Sequence, residues 1–117
     1  MASISTHVLD TAHGIPAQGV IVELHVVEGH ERRQVCRTVT NVNGRTDEPL
    51  VTAGRLVPGV YELSCHIGEY FRGRGETLPD PPFLDRVVIR FGIADPAANY
   101  HVPLLVSPYG YTTYRGS

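Results

Sequence analysis

A chain of 117 residues with 10 basic and 12 acidic side chains, net charge −2, is long enough for one packed domain over 1–117 and too short for two. It has no basic surplus with which to neutralise a nucleic-acid backbone, and no apolar run approaching the ~20 residues of a membrane-spanning helix. No basic, then apolar leader opens the sequence and it closes on Arg-Gly-Ser, not on a peroxisomal address, so a cytoplasmic protein is expected, with neither nucleic acid nor membrane as a partner. Two cysteines without an export signal, Cys36 and Cys65, read as reduced and structural.

In chain order, residues 4–10 alternate as a strand does, with Ile4, Thr6 and Val8 on one face and Ser5, His7 and Leu9 on the other. Residues 11–18 hold Gly14 and Pro16 and read as a loop. Residues 19–28 form a second strand, Val20, Val22, Leu24 and Val26 inward, Glu23 and His25 outward. After a charged turn over 29–33 comes a third strand over 35–40. The turn Asn41-Val42-Asn43-Gly44 follows, because Asn-Gly tolerates positive φ. A weak strand is expected over 50–53. Residues 59–67 place Tyr61, Leu63, Cys65 and Ile67 on one face.

A helix is predicted over 68–75, kept short by Gly73 and Gly75. Residues 76–82, with Pro79, Pro81 and Pro82, form a loop, and residues 87–91 a further strand. The last two strands, 100–106 and 111–115, are joined by the turn Ser107-Pro108-Tyr109-Gly110. In the first of them Val102, Leu104 and Val106 share one face, and His101, Pro103 and Leu105 the other. In the second, Thr112, Tyr114 and Gly116 oppose Thr113 and Arg115. Seven or eight short strands, one minor helix and no internal repeat predict an all-β antiparallel sandwich.

Common catalytic motifs are missing: there is no Gly-x-Ser-x-Gly elbow, no His-Glu-x-x-His and no Cys-x-x-Cys. The six histidines, at 7, 13, 25, 30, 66 and 101, show no ligand spacing, and no metal or cofactor is expected. His13, His25, His30 and His66 read as loop or outward-facing residues. Taken singly, His7 and His101 suit a sheet's wet face, Arg45 a solvated turn, and Tyr114 simple packing.

Further readings come from Tyr100-His101-Val102-Pro103-Leu104-Leu105, Ser107-Pro108-Tyr109-Gly110-Tyr111 and the closing Tyr114-Arg115-Gly116-Ser117. These resemble the 5-hydroxyisourate hydrolase family of transthyretin-related enzymes, which the tetrapeptide separates from transthyretin itself. The resemblance recurs at Ser5-Thr6-His7-Val8-Leu9-Asp10, Asn43-Gly44-Arg45-Thr46-Asp47, Gly59-Val60-Tyr61-Glu62-Leu63, Glu69-Tyr70-Phe71-Arg72 and Val88-Ile89-Arg90-Phe91. It therefore spans nearly the whole chain in order. Residues 73–82 depart from it, being longer and richer in proline than the family pattern.

The resemblance implies a transthyretin-like antiparallel β-sandwich of two four-stranded sheets with one short helix at an edge. It sets the first strand beside the last two, so that His7, His101 and Tyr114 project from one outer face. That face, with Leu9, Pro103 and Leu105, is too apolar for open solvent, which implies cover by another subunit; the family implies a homotetramer, a dimer of dimers. The implied reaction opens the N1–C6 cyclic amide of 5-hydroxyisourate, giving 2-oxo-4-hydroxy-4-carboxy-5-ureidoimidazoline in urate degradation. His7, Arg45 and His101 are the implied catalytic set. The two histidines activate water and shuttle protons, and Arg45 meets the electron-rich ring oxygens. Tyr114 and Ser117 join His7 and Arg45 as substrate contacts. The alternative is a transthyretin-like carrier that holds a flat aromatic ligand without turning it over; a purely structural sandwich is a third class.

Overall fold

The computed structural model describes residues 2–52 and 54–117. Among them run strands β1 (Ser3–Asp10), β2 (Ile15–Pro16), β3 (Ile21–Glu28), β4 (Glu31–Val39) and β5 (Gly59–His66). Helix α1 (Ile67–Gly73) follows, then β6 (Arg86–Ile93), β7 (Asn99–Ser107) and β8 (Gly110–Thr113). They form two four-stranded sheets, ordered β2-β1-β7-β8 and β4-β3-β5-β6. This is the expected transthyretin-like sandwich with one short helix.

Alternation builds the core. Along β1 every second side chain is buried, Ile4 and Val8 completely. Leu24, Leu63, Leu104 and Val106 close the space between the sheets from their own strands. The remaining β1 residues, Ser5 and His7 among them, face outward and half-buried.

Pairing is antiparallel with one exception. β1 runs parallel to β7, from Ser3 opposite Asn99 to Asp10 opposite Val106. Parallel neighbours need a long crossover, and here the whole second sheet supplies it.

Several elements differ from the sequence expectation. The loop over 11–18 contains the two-residue β2, whose Ile15 and Pro16 pair with Asp10 and Leu9. β4 begins at Glu31, so the charged turn shrinks to Gly29-His30, with Gly29 at φ 64°. Of the weak strand over 50–53, Val51 forms a single bridge with Ile4, and residue 53 lies outside the described residues. The helix starts one residue early and stops at Gly73, where Gly75 turns the chain at φ 88°. β8 ends at Thr113, short of residue 115.

Two residues expected to face water are buried instead. Glu23 is 8% exposed and His66 5%, because each supplies the other's polar partner. The His66 Nε2 lies 3.4 Å from Glu23 Oε1 and its Nδ1 3.2 Å from Glu69 Oε2, while Arg37 donates to Glu23 Oε2 at 2.8 Å. Burial pushes the Glu23 carboxyl up, but His66, Arg37 and Arg86 outweigh it and hold it below the ordinary value. Cys36 and Cys65 are unpaired, and burial pushes the Cys65 thiol up to about 12.

Candidate active site

The residues expected to carry chemistry meet on the outer face of the β2-β1-β7-β8 sheet, and strand register assembles them. Ser5 lies opposite His101 and His7 opposite Pro103 across the β1–β7 pair. Residues directly opposite one another project to the same face. On the flank of β1 away from β7, beside β2, the turn after β4 docks: Val8 N–H donates to Gly44 O at 2.8 Å, and His7 bridges Arg45. Asn41 shapes the turn, its Oδ1 accepting from the N–H groups of Asn43 at 2.9 Å and Arg45 at 3.2 Å. Gly44 stands at φ 75°, and a β-carbon there would collide with Val8 O. Only glycine brings Arg45 so close to β1.

On the other flank, β8 pairs Thr113 with Leu104, and beyond its end Gly116 bridges His101 in the same register. Tyr114 thus falls opposite Pro103. That pair is where the ladder lapses, since Pro103 has no N–H to give. Its carbonyl is taken by Thr113 Oγ1 at 2.8 Å, and the ladder closes again where Gly116 N–H donates to His101 O at 2.7 Å. This is why β8 is shorter than alternation alone predicts.

Two adjacent rows result, Arg45–His7–Pro103–Tyr114 and Ser5–His101–Gly116. The register thus gathers His7, His101, Arg45 and Tyr114 on one face, and a cleft of about 470 Å³ is lined by Ser5, Arg45, His101, Tyr114, Gly116 and Ser117. His7 flanks this cleft without lining it. Ser117 reaches it but makes no side-chain hydrogen bond among the described residues. Arg115 turns to the opposite face, its guanidinium carbon 4.2 Å from the Tyr100 ring centroid. A larger cleft of about 670 Å³ opens elsewhere, around Val26, Val35, Leu50, Val57 and Tyr61. It gathers no histidine, unlike the smaller one.

Both imidazoles are pushed toward the neutral form. His7 is pushed below the ordinary histidine value by burial and then by the Arg45 guanidinium, partly offset by its hydrogen bond to Asn43. His101 is pushed down by burial, Arg45 and His7. His7 Nε2 lies 2.9 Å from Asn43 O. A carbonyl only accepts, so neutral His7 carries its proton on Nε2 and leaves the Nδ1 lone pair free. His101 Nδ1 lies 2.9 Å from Ser5 Oγ. Among the described residues Arg45 has no carboxylate within ion-pair distance. Two neutral imidazoles beside an uncompensated guanidinium can take a proton from water, return one to a leaving group and stabilise an oxyanion.

Ser5 and Gly116 are the site residues that sequence reasoning missed. Alternation puts Ser5 on the His7 face, but that it meets His101 is a matter of register, which a single sequence does not display.

Residues 4–116 match the model of the HIUase/Transthyretin family. The 5-hydroxyisourate hydrolase of Pseudomonas aeruginosa is 52% identical over 100% of this chain and 93% of its own. The solved structure of Klebsiella pneumoniae 5-hydroxyisourate hydrolase superposes with a TM-score of 0.82 at 36% identity, over 100% of both chains. A crystal structure of (S)-allantoin synthase gives a TM-score of 0.93 at 41% identity over 99% of this chain, which spans only 44% of that longer protein.

Proposed function

The chain belongs to the HIUase/transthyretin family, and from that premise we infer that it hydrolyses 5-hydroxyisourate, the reaction for which its full-length relatives are named. Water adds to the C6 carbonyl while a neutral histidine takes its proton. Negative charge gathers on the carbonyl oxygen, within reach of Arg45. The N1–C6 bond then breaks, and the proton passes to N1. No covalent intermediate is required.

We assign these steps to His7, His101 and Arg45, with Tyr114 and Ser117 as substrate contacts across the cleft. The observation that carries the assignment is the meeting on one face of two imidazoles, both biased toward the neutral form, with a guanidinium that has no carboxylate partner among the described residues. A carrier of a flat aromatic ligand needs no such acid–base pair. Generating 5-hydroxyisourate in situ with urate oxidase and following its ultraviolet absorbance tests the reading. Decay should be faster with the protein than without it, and equal rates would overturn it.

We further read 1–117 as one domain, working in the cytosol as a homotetramer, a dimer of dimers. The two unpaired thiols fit a reducing compartment. Tyr109, Tyr111 and Tyr114 are 62%, 46% and 57% exposed around the edge strand β8, and both that edge and the apolar face invite a second copy.

A further inference from the structure

We propose that Ser5 and Gly116 are positioning residues that clamp the His101 imidazole from its two flanking strands, so that Nε2 is the nitrogen left for the reaction. The proposal rests on the hydrolase reading above and adds two residues to it. His101 stands in the middle strand of its row, with Ser5 directly across on β1 and Gly116 directly across on the closing segment.

From the first side, Ser5 Oγ lies 2.9 Å from Nδ1, and that hydroxyl has no other partner among the described protein groups. The contact engages Nδ1 and fixes the rotation of the ring. From the second side, a β-carbon on Gly116 would stand 2.5 Å from His101 Cδ2 and 3.2 Å from Cγ. The ring therefore fills the space that any side chain at 116 would claim. The Gly116 N–H donates to His101 O at 2.7 Å, which locks the backbone beneath it. Gly116 is not at positive φ, so its lack of a side chain serves the imidazole and not the backbone.

A histidine whose second nitrogen is held by an outer partner keeps one ring orientation, whichever way the hydroxyl turns its proton, and losing such a partner typically costs about 10–100-fold in function. The test compares wild type, Ser5→Ala, Ser5→Thr and Gly116→Ala by two independent measurements. Ring nitrogen NMR of His101 reports the hydrogen bond at Nδ1 without substrate, and steady-state kinetics on 5-hydroxyisourate gives kcat and KM separately.

Wild type and Ser5→Thr should each show a hydrogen-bonded Nδ1, and Ser5→Ala an Nδ1 signal moved toward that of an unbonded ring. Ser5→Ala should lower kcat ~10-fold or more with KM little changed, and Ser5→Thr should restore most of it. Gly116→Ala should move the His101 ring signals and lower kcat, with the circular dichroism of wild type. An unchanged Nδ1 signal in Ser5→Ala overturns the clamp, whatever the activity. A wild type that clamps its histidine yet leaves 5-hydroxyisourate untouched overturns the hydrolase reading instead. Should Gly116→Ala not fold, the two Ser5 variants alone decide.

Discussion

The Asn43 carbonyl and the Arg45 guanidinium reach His7 from the same turn and act on it in opposite senses. The carbonyl stabilises the charged ring and the guanidinium opposes it, and burial, reinforced by the guanidinium, prevails. His101, without a carbonyl partner, is lowered by burial, Arg45 and His7 together. Both rings therefore stay basic further into acid than the ordinary 6.5. If either is the general base, kcat/KM should be level above pH ~6.5 and fall only below it, as the ring protonates. A profile level down to pH 5 would remove histidine from the base role. His7→Ala, His101→Ala and Arg45→Ala should each lower turnover ~10²-fold or more, the range for lost acid–base or oxyanion groups. His30→Ala, in the exposed β3–β4 hairpin, should not. His66 is unsuited as the control because it is buried against Glu23. Equal losses in His30→Ala and the set would dissolve the assignment.

Among the elements, the turn over 41–45 has the least freedom. Gly44→Ala would place a left-handed backbone under a side chain and push that side chain into Val8 O. It should cost more than ~1 kcal/mol of stability and, by moving Arg45 off β1, lower kcat/KM as well. Chemical denaturation and the ultraviolet assay on one sample measure both, and full activity at lowered stability would show that Arg45 does not depend on the turn. The strands themselves were legible from alternation, because Ile4, Val8, Leu24 and Leu63 each need a dry neighbour and their intervening residues do not. The His7 and His101 roles came from resemblance, since a polar residue on a half-wet strand face has no distinguishing pattern of its own. What stayed hidden depends on partners distant in the chain. The burial of Glu23 needs His66, the hold on His101 needs Ser5, and the early end of β8 needs Pro103 opposite Tyr114. The Pro103 signal was present, as a residue that cannot donate inside a strand, but its effect waits on knowing what lies across from it.

For the molecule as a whole, the site lies on an outer face whose exposed tyrosines and β8 edge suit contact with further copies. Multi-angle light scattering should give four times the 12.8 kDa chain mass, and a fully active monomer would contradict the proposed assembly. Deleting residues 114–117 should remove Tyr114, Gly116 and Ser117 from the cleft and abolish turnover. Ile4, Leu24, Leu63 and Leu104 would stay packed, so the circular dichroism of the sandwich should persist. Turnover surviving that deletion would show that the segment is not part of the site.

The parallel pairing of β1 with β7 also sets an order of events in folding. Ser5 and His101 are 96 residues apart, whereas the β4-β3-β5-β6 sheet closes through antiparallel pairs that lie nearer one another along the chain. Closing the longest loop is the entropically slowest step. The second sheet should therefore form first, while the segment that carries His7 waits for the one that carries His101. Pulse-labelled hydrogen exchange should find the amides of β3 and β5 protected before that of Gly116. The reverse order would place the late step elsewhere. A newly made chain would on this account be a folded scaffold before it is a catalyst, with competence arriving when its two distant ends are stitched together.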